Sequence, residues 1–317
     1  MRNGEVDSPS RMRMLVVKGS FAPMGGAERD IIRNLPALSK KFAVTVATLE
    51  SSSGLEEVCE KMGIPLMTPK LEWTQSSDVI SRVLDSDYPK ALECWKSVGN
   101  LTEEIEEYDC IHITSGDGSL AILEIIPEEM AIHLHLLEPH RGLHEDVLHR
   151  GIDGRPKRNL SVTKAALTVA RRRDLSLIRG LSARGRSAIS GNSEFTSLRI
   201  AEVYGIPSGI LLPSLGIDEF TQNPSPNEPT KIEGPVEPYV VTVGKASWVK
   251  GTWETISMLK GSGHSLALVG GGGQEDLDAL VSHAEDCKVE IWIAPRLSSG
   301  DLCSLIRGAK AVVSMAH

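Results

Sequence analysis

Two lysines on one glycine-flanked segment are the strongest candidates for chemistry in this sequence. Lys245 follows Gly244, and Lys250 precedes Gly251. The segment begins where a short apolar run, residues 239–243, ends. A departing diphosphate needs two cations or a metal ion to balance its developing charge, and two lysines on one loop can supply that charge without a metal. The alternative is a pair of solvated surface lysines, the usual environment of this residue.

Two glycine clusters follow apolar runs elsewhere in the chain. Gly25 and Gly26 stand before a segment of helical periodicity, where backbone N–H groups and the helix dipole favour an anion. Gly270 and Gly272 belong to a run of glycines that lets a ligand lie against the backbone. Neither cluster has the GxGxxG spacing, which disfavours a hydride-transferring dinucleotide enzyme. A glycine turn without any ligand is the other interpretation of each cluster.

Histidines gather in one stretch of the chain, at positions 133, 135, 140, 144 and 149. His133 and His135 alternate along an apolar run, so a strand would place both rings on one face. That arrangement suggests a zinc site and hence a metal hydrolase. No acidic pattern of the HExxH kind accompanies the histidines, so a single positioned histidine or plain packing is favoured over a metal.

Alternating strands and helices must position these segments. Apolar runs of strand length recur between amphipathic segments, at residues 14–18, 42–49, 64–67, 110–114, 131–137, 187–190, 210–212, 239–243, 266–269, 289–293 and 311–313. The alternation predicts parallel sheets covered on both faces. Ligands of such sheets bind at the carboxyl ends of the strands, which is where the lysines and the glycines stand.

The pattern restarts once, which divides the chain into similar halves. We predict a polar tail over residues 1–12, a first Rossmann-like domain over 13–220, a proline-rich linker over 221–238 and a second Rossmann-like domain over 239–317. A second domain of about 80 residues is short. A sheet that ends on a strand without a covering helix also leaves apolar surface exposed. We therefore expect the second domain to be incomplete.

Composition excludes several classes of protein. The 317 residues, 41% of them hydrophobic, suffice for two cores. No apolar run approaches the roughly 18 residues of a membrane-spanning helix, and the N-terminus lacks the apolar core of a secretory signal. The five cysteines are odd in number and form no CxxC pair, which favours reduced thiols in a cytoplasmic protein and disfavours structural zinc.

The net charge of −8 combines an acidic stretch, residues 50–109, with a basic stretch, residues 150–199. An acidic chain is a poor candidate for nucleic-acid binding. The basic stretch is centred on Arg171, Arg172 and Arg173, and it indicates a phosphate-bearing partner or peripheral contact with an anionic membrane surface. The other interpretation is a solvated helix face that pairs with nearby acids.

Three segments, in this order, resemble glycosyltransferase family 4, the large retaining family of GT-B glycosyltransferases. They are GGAER at residues 25–29, GNSEFTSLRIAEVYG at 191–205 with LLPSLGID at 211–218, and VGKASWVKG at 243–251 with LALVGGGG at 266–273 and DLCSLIRGAKAVVSMA at 301–316. The resemblance implies an α/β fold with two Rossmann-like domains facing a cleft, the second truncated. It implies a hexosyltransferase that moves a sugar from a nucleotide-diphosphate donor to a hydroxyl acceptor, with retention and without a metal or cofactor. A lipid-linked acceptor fits the basic stretch.

The resemblance also assigns site residues. It places His135 at the reacting centre. It places the donor diphosphate beside Gly244, between Lys250 and Lys245, the latter in place of the family's arginine. Lysine keeps the charge of arginine but loses its planar fork. The remaining assigned residues line the cleft or face the acceptor: Gly25, Gly26, Gly270, Gly272, Arg141 and Asn192.

The family's carboxylate motif, EPFG with a later glutamate, belongs just after the run at residues 311–313, and the sequence stops at His317. We therefore expect this chain to be a fragment with little activity of its own. The main alternative is a non-catalytic nucleotide-sugar-binding or scaffold protein on a GT-B frame. A second is a nucleotide-sugar epimerase of the same fold, which needs further catalytic carboxylates.

Overall fold

The structure, a computed structural model, describes residues 11–74, 87–216 and 234–316. The chain forms two compact units. Unit 1 contains the described residues as far as His144 together with Ala165–Leu215, and unit 2 contains Glu145–Lys164 together with the described residues that follow Leu215. Most of the predicted polar tail and linker lies outside the described residues.

Unit 1 is built on a parallel sheet of seven strands. The strands are β1 Arg13–Ser20, β2 Ala43–Glu50, β3 Leu66–Met67, β4 Cys110–Thr114, β5 Ile132–His135, β6 Ser187–Gly191 and β7 Gly209–Ile210. Their order is β3-β2-β1-β4-β5-β6-β7, and neighbouring strands are parallel. The order reverses between β1 and β4, the place where open α/β sheets bind their ligands.

Helices cover both faces of this sheet. The helices of unit 1 are α1 Gly26–Leu38, α2 Ser53–Met62, α3 Asp87–Lys96, α4 Leu101–Glu104, α5 Arg141–His144, α7 Thr168–Ala183 and α8 Glu194–Tyr204. Helix α6, Leu160–Ala166, lies mostly in unit 2 and has no buried residue. On one face, Leu35 of α1 and Leu55 of α2 pack with Val16 and Val46. On the other face, α3, α4, α7 and α8 contribute to a larger core that includes Trp95. The buried faces explain why the strands are apolar on both sides.

Unit 2 has a three-stranded parallel sheet in the order β10-β9-β8 within the part of the chain that the structure describes. Its elements are β8 Tyr239–Val243, α9 Thr252–Leu259, β9 Ser265–Val269, α10 Gln274–Cys287, β10 Ile291–Ala294 and α11 Ser299–Gly308. Ile256 and Leu280 pack in the core with Leu266 and Leu268. The strand predicted at residues 311–313 is instead a single bridge between Val241 and Val312.

The segment Glu145–Lys164 belongs to unit 2, although the sequence pattern placed it inside the first domain. Ile152 is buried in the core of unit 2. The Arg150 guanidinium lies over the Trp248 ring, 5.0 Å from its centroid. The chain therefore leaves unit 1 after α5 and returns within α6. Strand and helix periodicity did not reveal this crossing, because the segment contains only short turns and part of α6.

The predicted α/β class with two parallel sheets is confirmed. Helix α8 is capped by Ser193, whose Oγ accepts a hydrogen bond from Thr196 N at 3.2 Å. Among the residues that the structure describes, no helix combines the length and the apolar character needed to cross a membrane.

Candidate functional site

The glycine-rich loops after β8 and β9 pack directly against each other. A Cβ atom on Gly270 would stand 2.0 Å from the carbonyl oxygen of Gly244, and one on Gly272 would stand 2.7 Å from Ala246 Cβ. The Ala246 N–H donates to the carbonyl oxygen of Gly271 at 2.9 Å. Side chains at positions 270 and 272 would separate the two loops, so the glycines are required by packing.

The Lys250 side chain lies along Gly244. A Cβ atom on Gly244 would be 3.3 Å from Lys250 Cγ and Cδ and 3.6 Å from Cε. The lysine stem therefore runs over the carboxyl end of β8. Lys245 and Lys250 are both exposed. The structure thus brings the predicted lysines and the predicted glycines of unit 2 to one edge of its sheet.

The turn that carries Lys250 is a single 3-10 turn, Trp248–Lys250. Gly251 ends it with a φ of 64°, and its N–H donates to the carbonyl oxygen of Trp248 at 2.8 Å. A Cβ atom on Gly251 would stand 2.1 Å from the Met315 carbonyl oxygen. The lysine-bearing loop is therefore packed against the chain at Met315 as well as against the glycine run.

The cationic character of this edge comes from side chains and not from a helix terminus. Helix α10 begins after Gly273, and its first turn carries Glu275 and Asp276. These carboxylates already complement the positive end of the helix dipole. Arg296, which is exposed just after β10, adds a third cation to the carboxyl edge of the sheet.

In unit 1, the glycine pair opens α1, and a carboxylate of the same helix takes its amide. The Gly25 N–H donates to Glu28 Oε2 at 2.7 Å, as in a capping box. A Cβ atom on Gly26 would meet nothing within 4 Å. The amide predicted to receive an anion is therefore occupied by Glu28, which makes this loop less suited to a phosphate than the sequence suggested.

A buried lysine, which the sequence analysis did not identify, connects this loop to the switch point of the sheet. Lys18 of β1 is 2% exposed, and its Nζ lies 3.3 Å from Glu28 Oε1. Lys18 also pairs with Asp117, in the loop after β4. The available signal was a lysine at the end of the apolar run 14–18, but its partner Asp117 is distant in sequence.

His112, His133 and His135 share one face of the unit 1 sheet. The Nδ1 atoms of His112 and His133 are 2.8 Å apart, and His133 Nε2 lies 2.8 Å from Ser190 Oγ. Burial, together with the charges of His133 and His135, lowers the pKa of His112 to about 3. The first two rings thus bind each other. Within residues 11–74, 87–216 and 234–316, no group of three His, Cys, Asp or Glu residues is placed to hold a metal ion.

His135 ends β5 and is enclosed by protein. It is 3% exposed, and its Nε2 has no hydrogen-bond partner among the described residues. Burial lowers the pKa of His135, while the charge of Asp30 on α1 and a backbone hydrogen bond with Leu211 act in the opposite direction. The ring is therefore neutral at pH 7. Its direct contact with a substrate stays a prediction.

Asn192 and Arg141 follow the carboxyl ends of neighbouring strands. Asn192 Oδ1 accepts hydrogen bonds from Thr196 Oγ1 at 2.6 Å and from Ser193 Oγ at 3.2 Å. Arg141 Nε lies 3.1 Å from Glu138 Oε2. Both side chains are thus held by neighbours, and their roles toward an acceptor stay predictions.

The remaining histidines of the predicted cluster lie in different environments. His144 Nε2 is 2.7 Å from Asp174 Oδ2, and the Tyr204 hydroxyl donates to the same oxygen at 2.8 Å. This network ties α5 to α7 and α8. His140 is exposed, and His149 ends a 3-10 turn of unit 2. The histidines at 133–149 therefore do not form one site.

The three consecutive arginines lie on α7 and do not share one surface, because successive helical residues point about 100° apart. Arg171 Nε donates to the Leu143 carbonyl oxygen at 2.8 Å. Arg173 lies over the Tyr88 ring, 4.8 Å from its centroid. Arg172 is exposed. Contact with an anionic membrane through these residues stays a prediction.

No protein-family model and no curated protein sequence matches the chain, whereas solved structures do. HepE from Anabaena, determined with UDP and glucose, matches with a TM-score of 0.61 and 14% identity over 96% of this chain and 74% of that one. Sucrose-phosphate synthase from Thermosynechococcus elongatus matches with a TM-score of 0.63 and 14% identity over 96% and 76%. A glycosyltransferase from Rickettsia africae gives 0.55 and 14% over 96% and 73%.

At this level of identity, the likeness shows the fold alone. It confirms the GT-B fold class predicted from the sequence. Membership of family 4 stays a prediction.

Proposed function

We propose that the chain is a glycosyltransferase that moves a sugar from a nucleotide-diphosphate donor to a hydroxyl acceptor. The observation that carries this proposal is the pair of interlocked glycine loops in unit 2, where Lys250 lies along Gly244 and Lys245 is exposed beside it. Exposed ammonium groups beside a glycine backbone, which a ligand can approach closely, suit the binding of a diphosphate. HepE, which shares the fold, was determined with UDP and glucose, and this supports a nucleoside-diphosphate sugar as the donor.

Within this function, we infer a family 4 hexosyltransferase that retains configuration and needs no metal. The three motif segments of the sequence support the family assignment. Lys245 and Lys250 together supply the positive charge that a metal ion would otherwise bring to the leaving group. Because an ammonium is a point charge without the planar fork of arginine, Lys245 attracts the diphosphate without a bidentate contact.

Unit 1 supplies the acceptor side in this proposal. His135 is neutral, and its Nε2, which lacks a partner among the described residues, can accept or donate one hydrogen bond with a sugar hydroxyl once the chain around Leu211 moves aside. Arg141 and Asn192 follow adjacent strand ends and are proposed to contact the acceptor. A lipid-linked acceptor is the partner proposed for the basic stretch that includes Arg172.

Turnover of nucleotide sugars tests the proposed function. The purified chain is incubated with UDP-, ADP- and GDP-linked hexoses, with and without simple glycoside acceptors, and released nucleoside diphosphate is measured. We expect slow release with one class of base, unchanged by EDTA, and at least about tenfold slower again for Lys250→Met. The control is Lys260→Met, an exposed lysine at the other end of α9. The absence of both binding and release with all of these nucleotides would refute the proposal.

The enclosure of His135 favours one alternative, a non-catalytic nucleotide-sugar-binding protein on the same frame. A ring that is 3% exposed does not reach a sugar without movement of the chain around Leu211. Binding of a nucleotide sugar without release of nucleoside diphosphate, with every hexose and acceptor tested, would establish that alternative.

A further inference from the structure

The crossing segment, Glu145–Lys164, packs on the loop that carries the two lysines. Arg150 covers the Trp248 ring from 5.0 Å. Gly154 lies against the indole edge, since a Cβ atom there would stand 2.8 Å from Trp248 Nε1. The indole N–H donates to Glu254 Oε1 at 3.1 Å, so the ring is bonded to α9 while the crossing segment packs on it.

Arg150 is itself fixed in place. Its Nη1 donates to the carbonyl oxygen of Gly154 at 2.9 Å, and its Nη2 pairs with Asp146 at 2.6 Å. The guanidinium thus joins both ends of a short turn and presents its flat face to the indole. Lysine cannot reproduce this arrangement, because it lacks the planar fork and the second nitrogen.

Trp248 is the first residue of the turn that delivers Lys250. The turn is three residues long, and glycines flank the loop at positions 244 and 251. Short 3-10 turns have poor hydrogen-bond geometry, and flanking glycines restrict the backbone little. The Lys250 N–H donates to the Ser247 carbonyl oxygen at 3.0 Å, so the ammonium position depends on the turn being held. The packed Trp248 side chain is one of the contacts that hold it, beside the packing of Gly251 on Met315 and of Gly270 on Gly244.

We propose that Arg150 and Gly154 are positioning residues that hold Trp248, and thereby Lys250, in the geometry that receives the donor diphosphate. This inference rests on the proposed function. It assigns the crossing segment a role in donor binding that neither motif nor periodicity in the sequence indicated.

The test uses the full chain and the variants Arg150→Met and Arg150→Lys, with Arg158→Met as control because Arg158 is an exposed arginine of the same segment. Calorimetry gives the Kd for whichever of UDP, ADP and GDP binds the wild type. We expect Arg150→Met to weaken binding about three- to tenfold and Arg150→Lys to have an intermediate effect. Arg158→Met should leave the Kd unchanged. In a Lys250→Met background, Arg150→Met should have no further effect, since the lysine that it positions is gone.

Hydrogen exchange provides a readout that needs no ligand. In Arg150→Met, the amides of Lys250 and Gly251 should exchange faster, while those of β9 keep the wild-type rate. Unchanged exchange at these amides would overturn the proposal that Arg150 holds Trp248 and its turn in place. Two results would overturn the positioning role alone. One is nucleotide binding that Arg150→Met does not weaken, and the other is an effect of Arg150→Met that persists in the Lys250→Met background. A wild type that binds none of the three nucleotides would overturn the proposed function and the positioning role together.

Discussion

The Nδ1 atoms of His112 and His133 lie 2.8 Å apart on neighbouring strands of the unit 1 sheet. Between two such nitrogens, one must carry the proton and the other the lone pair. The contact therefore requires the accepting ring to be neutral, and it excludes protonation of both rings at once. Burial provides that condition, since it lowers the pKa of both imidazoles, and that of His112 to about 3. The histidine row is thus a packed, partly buried part of the unit 1 sheet.

Stability should fall as the pH is lowered through 6.5. The folded-state pKa of His112 lies below its ordinary value of 6.5, so on acidification the unfolded chain binds the proton first, which lowers its free energy relative to that of the folded chain. The contribution of neutral His112 is therefore fully present above pH 6.5 and is lost toward pH 3. Between pH 7.5 and 5.5 we expect a loss of about 1 kcal/mol from His112 alone, measured by urea unfolding. His133 and His135 add to it.

His112→Gln should reduce this pH dependence, whereas His140→Gln, at an exposed ring, should preserve it. A free energy of unfolding that stays constant from pH 7.5 to 5.5 would contradict the assignment of a neutral, partly buried histidine row.

Lys18→Met should destabilise unit 1 severely. Lys18 is 2% exposed and pairs with Glu28 and Asp117. Removing one partner of a buried ion pair leaves charge without compensation, which costs about 3 kcal/mol or more. Urea unfolding measures the loss, and the exposed Lys61→Met serves as the control. The double variant Lys18→Met with Glu28→Gln should recover part of the stability. A loss no greater than that of the control would show that the network contributes nothing.

Gly270→Ala should disturb unit 2, while Gly271→Ala should be tolerated. Gly270 has a φ of 152°, and its added Cβ would stand 2.0 Å from the Gly244 carbonyl oxygen, whereas a Cβ on Gly271 meets nothing within 4 Å. We expect Gly270→Ala to lower the unfolding free energy by about 2 kcal/mol or more. Nucleoside-diphosphate affinity should fall as the loops separate. Equal effects of the two substitutions on both quantities would argue against the interlocked loops.

Local signals in the sequence predicted the parts of the fold and of the site that depend on neighbouring residues. The apolar runs that end before Gly244 and Gly270 predict two strands. Because the carboxyl ends of parallel strands lie at one edge of a sheet, the lysines that follow are predicted to lie at that edge. The cap of α8 at Ser193 also depends only on nearby residues, since a capping side chain bonds to the backbone within one helical turn.

Contacts between distant residues were not readable. The pairing of Lys18 with Asp117 and the stacking of Arg150 on Trp248 each join residues about 100 positions apart, and side-chain periodicity carries no information on such pairs. For the same reason, the sequence pattern does not show that the crossing segment packs in unit 2. The Gly25 amide, which is expected to face an anion, donates instead to Glu28, an acceptor within the chain itself.

The central property proposed for this chain is that Lys250 and Lys245 bind a diphosphate. Calorimetric titration of the wild type and of Lys250→Met with a nucleoside diphosphate and with the matching monophosphate tests it directly. We predict that the wild type binds the diphosphate at least about tenfold tighter than the monophosphate, which corresponds to about 1.4 kcal/mol. Lys250→Met should remove most of that difference, and Lys260→Met should keep it. Equal affinity of the wild type for both nucleotides, or a preference that Lys250→Met leaves intact, would contradict the account.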